Sequence, residues 1–383
     1  MQKILTLILF SYCSSTALAV ELSEAELGKL FFFDPNLSLN RTQSCSTCHD
    51  PGRAFTDGRE TPAHGIVSLG DNDHSFGNRN APTAAYANTS PPFHFDEALG
   101  EYVGGQFWDG RATTLADQAA GPPLNPVEMN MVSDATVIER VLENPVYKEA
   151  MAKLYGKDLF DQGPQAVFKA MTQSIQAFEE TDTFSTYDSK YDKFLRGEYE
   201  LTVLEDLGRT LFFSQANINC SECHKLMAED SKQEPFTNHQ YRNIGVPSNP
   251  DLIKIAQLDS DYIDHGLLEN PAVDDEKYDG KFKVPTLRNV AVTGPYMHNG
   301  IFADLRTVVE FYDKYNNTDR KINPETGKPW REPEVPGTID LDELHAIKMS
   351  DRKIDALVAF METLTDERYE HLLEEKKAAK KAQ

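Results

Sequence analysis

Cysteine is scarce in this chain, and none of it is free for a structural disulfide. Of five cysteines in 383 residues, Cys13 falls in an N-terminal leader. The other four, Cys45, Cys48, Cys220 and Cys223, all lie inside two C-x-x-C-H motifs. Exported proteins commonly spend their thiols on disulfides, so the absence of any spare thiol commits these four to other covalent chemistry. Long apolar runs are missing as well. The run Ile4–Phe10 is too short to span a bilayer. With Lys3 before it and the small-x-small pattern Ala17-Leu18-Ala19 after it, it reads as a signal peptide over residues 1–19. Ser11-Tyr12 makes a poor lipobox ahead of Cys13, so cleavage is expected after Ala19, with export to the periplasm and no membrane span. Basic residues are also few: 38 Lys and Arg stand against 61 Asp and Glu. Removing the leader takes Lys3 and no acid, so 37 against 61 leaves −24. That balance argues against a nucleic-acid partner. It fits either a solvated acidic surface or a docking face for a basic electron-transfer protein.

What is present is organised as a repeat. Leu27-Gly28-Lys29-Leu30-Phe31-Phe32 precedes the first C-x-x-C-H, and Leu207-Gly208-Arg209-Thr210-Leu211-Phe212-Phe213 precedes the second. Ser23 with Glu26, and Thr202 with Glu205, have capping-box spacing at the two helix starts. Each unit reads as helix, loop, C-x-x-C-H, and the duplication predicts two domains, residues 20–190 and 191–383. Ser133 is placed to cap a helix carrying Val137, Ile138, Val141 and Leu142, and Asn144-Pro145 to start another. Val167, Met171, Ile175 and Phe178 keep helical spacing, as do Ile354, Leu357, Val358, Met361 and Leu364 behind Ser350. The expected class is mainly α, with long Pro/Gly/Asn-rich loops at 50–130 and 225–300 and a charged tail, 374–383, that frays. Loops of that length in a compact fold are usually functional.

The C-x-x-C-H motif works by geometry. Two cysteines add to the vinyl groups of a haem as thioethers, and the adjacent histidine gives its imidazole to the iron. Cys45, Cys48 and His49 therefore predict one haem c, and Cys220, Cys223 and His224 a second. A zinc site built from the two cysteine pairs is the rival. It gives no reason for a histidine directly after both pairs. An enzyme also needs an iron with a releasable sixth position and polar groups aimed at it. The stretch from Gly105 through Trp108, Arg111, Gln118 and Pro122 to Glu128 is where such groups are expected.

With these motifs, the sequence resembles the bacterial di-haem cytochrome c peroxidase family, including its MauG branch, which completes a tryptophan-derived cofactor in methylamine dehydrogenase. The resemblance spans nearly the whole chain after the leader. It rests on both haem motifs, on Arg79-Asn80-Ala81-Pro82-Thr83, on the stretch from Trp108 to Glu128, and on Val284–Asn289 through Pro295-Tyr296-Met297-His298-Asn299-Gly300. It implies two cytochrome-c-like haem domains. It implies Glu128 as distal acid/base at the N-terminal, peroxide-reducing haem, with Gln118 and Pro122 beside it, and Trp108 as the electron relay between haems. It further implies calcium held by the Asn80 side chain and the Thr293 and Pro295 carbonyls. The family's sixth ligand to the second haem falls at Tyr312, where the peroxidases have Met and the MauG branch has Tyr. Many of the peroxidases carry a histidine where this chain has Asn72, which blocks the first iron before activation; His64 and His74 lie nearby.

Each reading has a plainer rival. A carboxylate such as Glu128 in a Pro/Asn-rich loop is ordinarily solvated, and a tryptophan such as Trp108 is ordinarily core. Yet peroxide cleavage needs one oxygen to lose a proton and the other to gain it, which a carboxylate above the iron can manage. Burial would raise its pKa and make it a better acid. Tyr312 could be an ordinary buried phenol, with Met297 or His298 as the iron ligand instead; a phenolate is the hard donor that favours ferric iron. Trp330 reads as surface. His94, His239, His265, His345 and His371 have no motif context and read as structural or surface residues. The expected function is reduction of hydrogen peroxide, with electrons from a small redox protein or from a protein substrate. The alternative is a non-catalytic di-haem electron carrier with both irons closed.

Overall fold

The computed structural model describes residues 21–214, 220–226 and 233–382. The signal-peptide reading of residues 1–19 therefore lies outside the described residues. The helices Glu24–Phe32 and Val203–Phe212 start as the sequence predicts. The Ser23 N–H donates to the Glu26 carboxylate at 2.8 Å while the Ser23 hydroxyl accepts from the Glu26 N–H. Thr202 and Glu205 repeat that exchange, with 2.7 Å from the Thr202 N–H to the carboxylate. Two backbone donors are satisfied at each helix start.

Each of these helices turns a glycine toward a partner helix. A Cβ on Gly28 would lie 1.7 Å from the Ser174 carbonyl oxygen, and one on Gly208 would lie 1.9 Å from that of Ala356. Only glycine permits such close backbone approach. The helix Pro164–Glu179 accordingly packs on the first, and Asp351–Glu362 on the second. Around each pair gathers an apolar cluster, one with Phe31, Phe32, Met171 and Ile175, the other with Leu211, Phe212, Leu357 and Phe360. Ser133 caps Asp134–Leu142 and Asn144 caps Pro145–Tyr155, with proline at the first helical position. Ser350 stands at the N-cap of Asp351–Glu362 without making a side-chain cap bond.

Among the described residues, strands occur only as three two-stranded antiparallel ribbons. The long loops are held instead by buried charge. Arg79 reaches Asp109 at 2.5 Å, Asp264 at 2.6 Å and Glu269 at 2.8 Å, tying the first long loop to the second. Arg288 is 0% exposed and grips Asp192 with two bonds of 2.7 and 2.9 Å. Such charges tolerate burial because each is paired and hydrogen-bonded.

Two sequence expectations need correction. The tail does not fray through residue 382: Glu370–Ala382 is a helix. Leu372 and Leu373 are buried, and Lys376 Nζ donates to the Ala291 carbonyl at 3.1 Å, so the helix gains packing its own charged sequence does not advertise. Trp330 is half-buried rather than on the surface. Its ring meets Phe302 and Phe311 edge-on, and its Nε1 donates to the Arg320 carbonyl at 2.7 Å.

Candidate haem-binding and catalytic site

Both C-x-x-C-H motifs begin as a single helical turn, Cys45–Cys48 and Cys220–Cys223, that leaves the histidine at its end. His49 Nδ1 lies 3.1 Å from the Phe55 carbonyl, and His224 Nδ1 lies 2.9 Å from the Phe236 carbonyl. A carbonyl partner holds the proton on Nδ1 and leaves the Nε2 lone pair free for a metal. Burial keeps both imidazoles neutral, pushing His224 down to about 4. It also pushes the thiols of Cys48, Cys220 and Cys223 up to about 12. Among the described residues no three His, Cys, Asp or Glu side chains converge in a group that could hold a metal ion.

Cys220, Cys223 and His224 open onto a predominantly apolar cavity. A porphyrin needs such a slot with an imidazole on its wall, and the residues present fit it. Tyr312 and Met297, the two candidate sixth ligands, both line this cavity, as does His298. Tyr312 projects from the helix Leu305–Asp313, and its hydroxyl has no hydrogen-bond partner among the described residues. Burial raises its phenol well above the ordinary range, with the Cys223 and Cys220 thiols adding to the shift. Met297 lies instead on wall shared with a second cavity, beside Trp108 and Lys283.

The N-terminal catalytic candidates are brought together by turns. Gln118 sits in the helix Leu115–Ala119, which Thr114 and Asp117 cap. The Pro122 carbonyl accepts from the N–H of Met129 at 3.2 Å, folding the Glu128 loop back on Gly121–Leu124. Asn125 Nδ2 donates to the Glu128 carboxylate at 2.7 Å. Burial raises the Glu128 pKa, opposed by Arg111 and Asn125. The Glu128 charge also reaches the thiols of Cys45 and Cys48, which places the carboxyl near the first attachment motif. Trp108 lies on the wall between the two cavities, and its Nε1 donates to the Asn80 carbonyl at 2.9 Å.

Asn80, Thr293 and Pro295 share the wall of the second cavity. The Asn80 amide nitrogen donates to the Gly65 and Ile66 carbonyls, each at 3.0 Å, which leaves its oxygen free to ligate. His64 and His74 are exposed. The loop between them is pinned, since the Asp71 N–H donates to the Glu128 carbonyl at 2.8 Å and the Asp71 carboxylate takes Ser38 and Thr42. Asn72 spends its side chain closing a turn with Ser75.

Three residues at this site had no individual role in the sequence reading. Arg111 stacks 3.7 Å over Phe107 and faces Glu128 electrostatically. His239, read from sequence as structural or surface, is buried. Lys283 lines both cavities. A lone basic residue in a loop gives no periodic signal, so only the fold reveals these.

The model of the di-haem cytochrome c peroxidase family matches residues 23–200. The methylamine utilization protein MauG of Paracoccus denitrificans is 51% identical over 361 residues, covering 93% of this chain and 92% of its own. The chain belongs to the di-haem cytochrome c peroxidase and MauG family. A cytochrome c551 peroxidase of Nitrosomonas europaea is 33% identical over 75% of this chain and 71% of its own length. The diheme peroxidase BthA of Burkholderia thailandensis has the same fold, with a TM-score of 0.80 at 32% identity over 90% of this chain and 86% of its own. As a family member the chain is a di-haem oxidoreductase, and its two attachment motifs account for both cofactors. No described helix is long and apolar enough to cross a membrane.

Proposed function

We propose that this chain is a periplasmic, MauG-like oxidoreductase. In this reading it reduces hydrogen peroxide at the haem of Cys45, Cys48 and His49. Electrons arrive through the haem of Cys220, Cys223 and His224 from aromatic side chains of a protein substrate. The carrying observation is Tyr312, a phenol on the same cavity wall as His224 whose hydroxyl has no hydrogen-bond partner among the described residues. A phenolate donor would favour ferric iron and so favour sharing oxidising equivalents over ready acceptance of electrons from a high-potential carrier. The relationship to MauG of Paracoccus denitrificans supports the same branch.

The bound haems supply peroxide binding and iron redox chemistry. The chain's own residues do the rest. His49 and His224 would hold the irons through Nε2, since each Nδ1 is engaged by a backbone carbonyl. The Glu128 carboxyl, oriented by Asn125, moves a proton between the peroxide oxygens, and its raised pKa suits it to give that proton back. Gln118 and Pro122 shape the same pocket. Trp108, held through its indole N–H, bridges the two cavities for electrons. Calcium on Asn80, Thr293 and Pro295 would fix that bridge, since it draws on oxygens from both long loops. We also infer two domains, 20–190 and 191–383, derived by duplication; the repeated capping boxes and buried glycines support it.

A second reading keeps a small redox protein as donor, giving a cytochrome c peroxidase. The place of Met297 on the same cavity wall favours it. The two readings separate in one assay. Peroxide is supplied to the holoprotein with either a reduced small c-type cytochrome or a protein bearing partly oxygenated tryptophan. Turnover confined to the second supports the proposal; fast oxidation of the cytochrome alone overturns it.

A further inference from the structure

Lys283 stands on the wall common to both cavities. Its backbone N–H donates to the Trp108 carbonyl at 2.8 Å, and its ammonium donates to the Gly105 carbonyl at 2.6 Å. One residue thus staples both ends of the segment that carries the indole. The ammonium's other neighbour, Ser90 Oγ at 3.5 Å, is also uncharged. Asp109 acts on it at longer range but is already paired with Arg79 and Arg111. His239 lies beside the same segment, its carbonyl accepting the Gly104 N–H at 2.9 Å. His239 is 4% exposed and lines the second cavity, yet its Nε2 has no hydrogen-bond partner among the described residues.

Burial pushes Lys283 down to about 8 and His239 down to about 3, Lys283 adding to the second shift. A partly buried cation with no carboxylate partner among the described residues, beside an unsatisfied imidazole nitrogen, is costly unless an anion completes the pair. The other cation on these walls, Arg242, is neutralised by Glu343. Each haem brings two propionate carboxylates, the anionic groups such a pair would take.

We propose that Lys283 and His239 form one carboxylate seat between the two cavities, holding a haem propionate, and that Lys283 thereby also sets the charge and position of Trp108. It rests only on both haems being bound, not on which donor serves them. A fixed positive charge there favours the reduced form of each haem and disfavours an electron hole on the indole. Lys283 is in this sense a positioning residue for the relay.

The test uses resting, substrate-free holoprotein, so it stands apart from the donor question. Resonance Raman spectra report the propionate bending bands, and spectropotentiometry reports both midpoint potentials. K283M should shift a propionate band and lower both potentials; K283R should restore them toward wild type. H239N keeps the backbone bond to Gly104 and tolerates the left-handed conformation of that residue, φ 55°. It should shift the band while leaving the Trp108 segment in place. Unchanged bands and potentials in K283M overturn the proposal. If K283M does not mature, an unchanged band in H239N overturns it. Wild-type potentials that move when chloride is exchanged for acetate, with propionate bands fixed, would assign the seat to a free anion and also overturn it.

Discussion

Glu128→Gln isolates the proton-transfer step. The carboxylate is held by Asn125 Nδ2 at 2.7 Å, its own N–H donates to the Asn125 carbonyl at 3.0 Å, and its carbonyl takes the Asp71 N–H at 2.8 Å. Glutamine is nearly isosteric, its amide oxygen still accepts from Asn125, and the two backbone bonds are untouched. Position survives while the exchangeable proton is lost. General acid–base assistance is worth about 10²–10⁴ in rate, or about 3–5 kcal/mol of barrier. Peroxide-dependent turnover should fall by that factor with both haems retained. Burial raises the Glu128 pKa, so protonation of the free base should cut kcat/KM on an acidic limb lying above the ordinary carboxylate range. That limb should vanish in the variant. Wild-type rates and an unchanged limb in E128Q would remove Glu128 from the mechanism.

Denaturing mass spectrometry of periplasmic protein should give a chain beginning at Val20 plus two covalent haems; a haem-free mass from cells competent in c-type maturation would contradict both motifs. Gly28→Ala and Gly208→Ala should each destabilise the protein by at least the roughly 1–3 kcal/mol typical of overpacking, because the added methyl would meet backbone oxygen at 1.7 and 1.9 Å. Denaturant melts check this, and an unchanged midpoint would show that the helix pairs are looser than described.

Much of the site was legible because its chemistry is local in sequence. A C-x-x-C-H motif encloses its own geometry, and Ser23 with Glu26 or Thr202 with Glu205 states a helix start within four residues. Glu128, Gln118 and Trp108 could be named only through the family resemblance, since loop spacing alone does not say what a carboxylate faces. Tertiary partners decided the rest. The tail helix is ordered by Leu372, Leu373 and Lys376 meeting distant residues, and Trp330 is covered by Phe302 and Phe311. His239 and Lys283 look like any basic residues until the fold sets Lys283 on the wall of both cavities and His239 on that of the second.

Axial ligation at the second haem tests most directly whether Tyr312 makes this a MauG-like enzyme. The measurement is the low-spin ferric spectrum and midpoint potential of that haem in Tyr312→Phe and Met297→Ala. Phenolate ligation predicts that Tyr312→Phe alters the spectrum and raises the potential, while Met297→Ala leaves both near wild type. The reverse pattern would mean His/Met ligation at the second iron and an ordinary cytochrome c peroxidase.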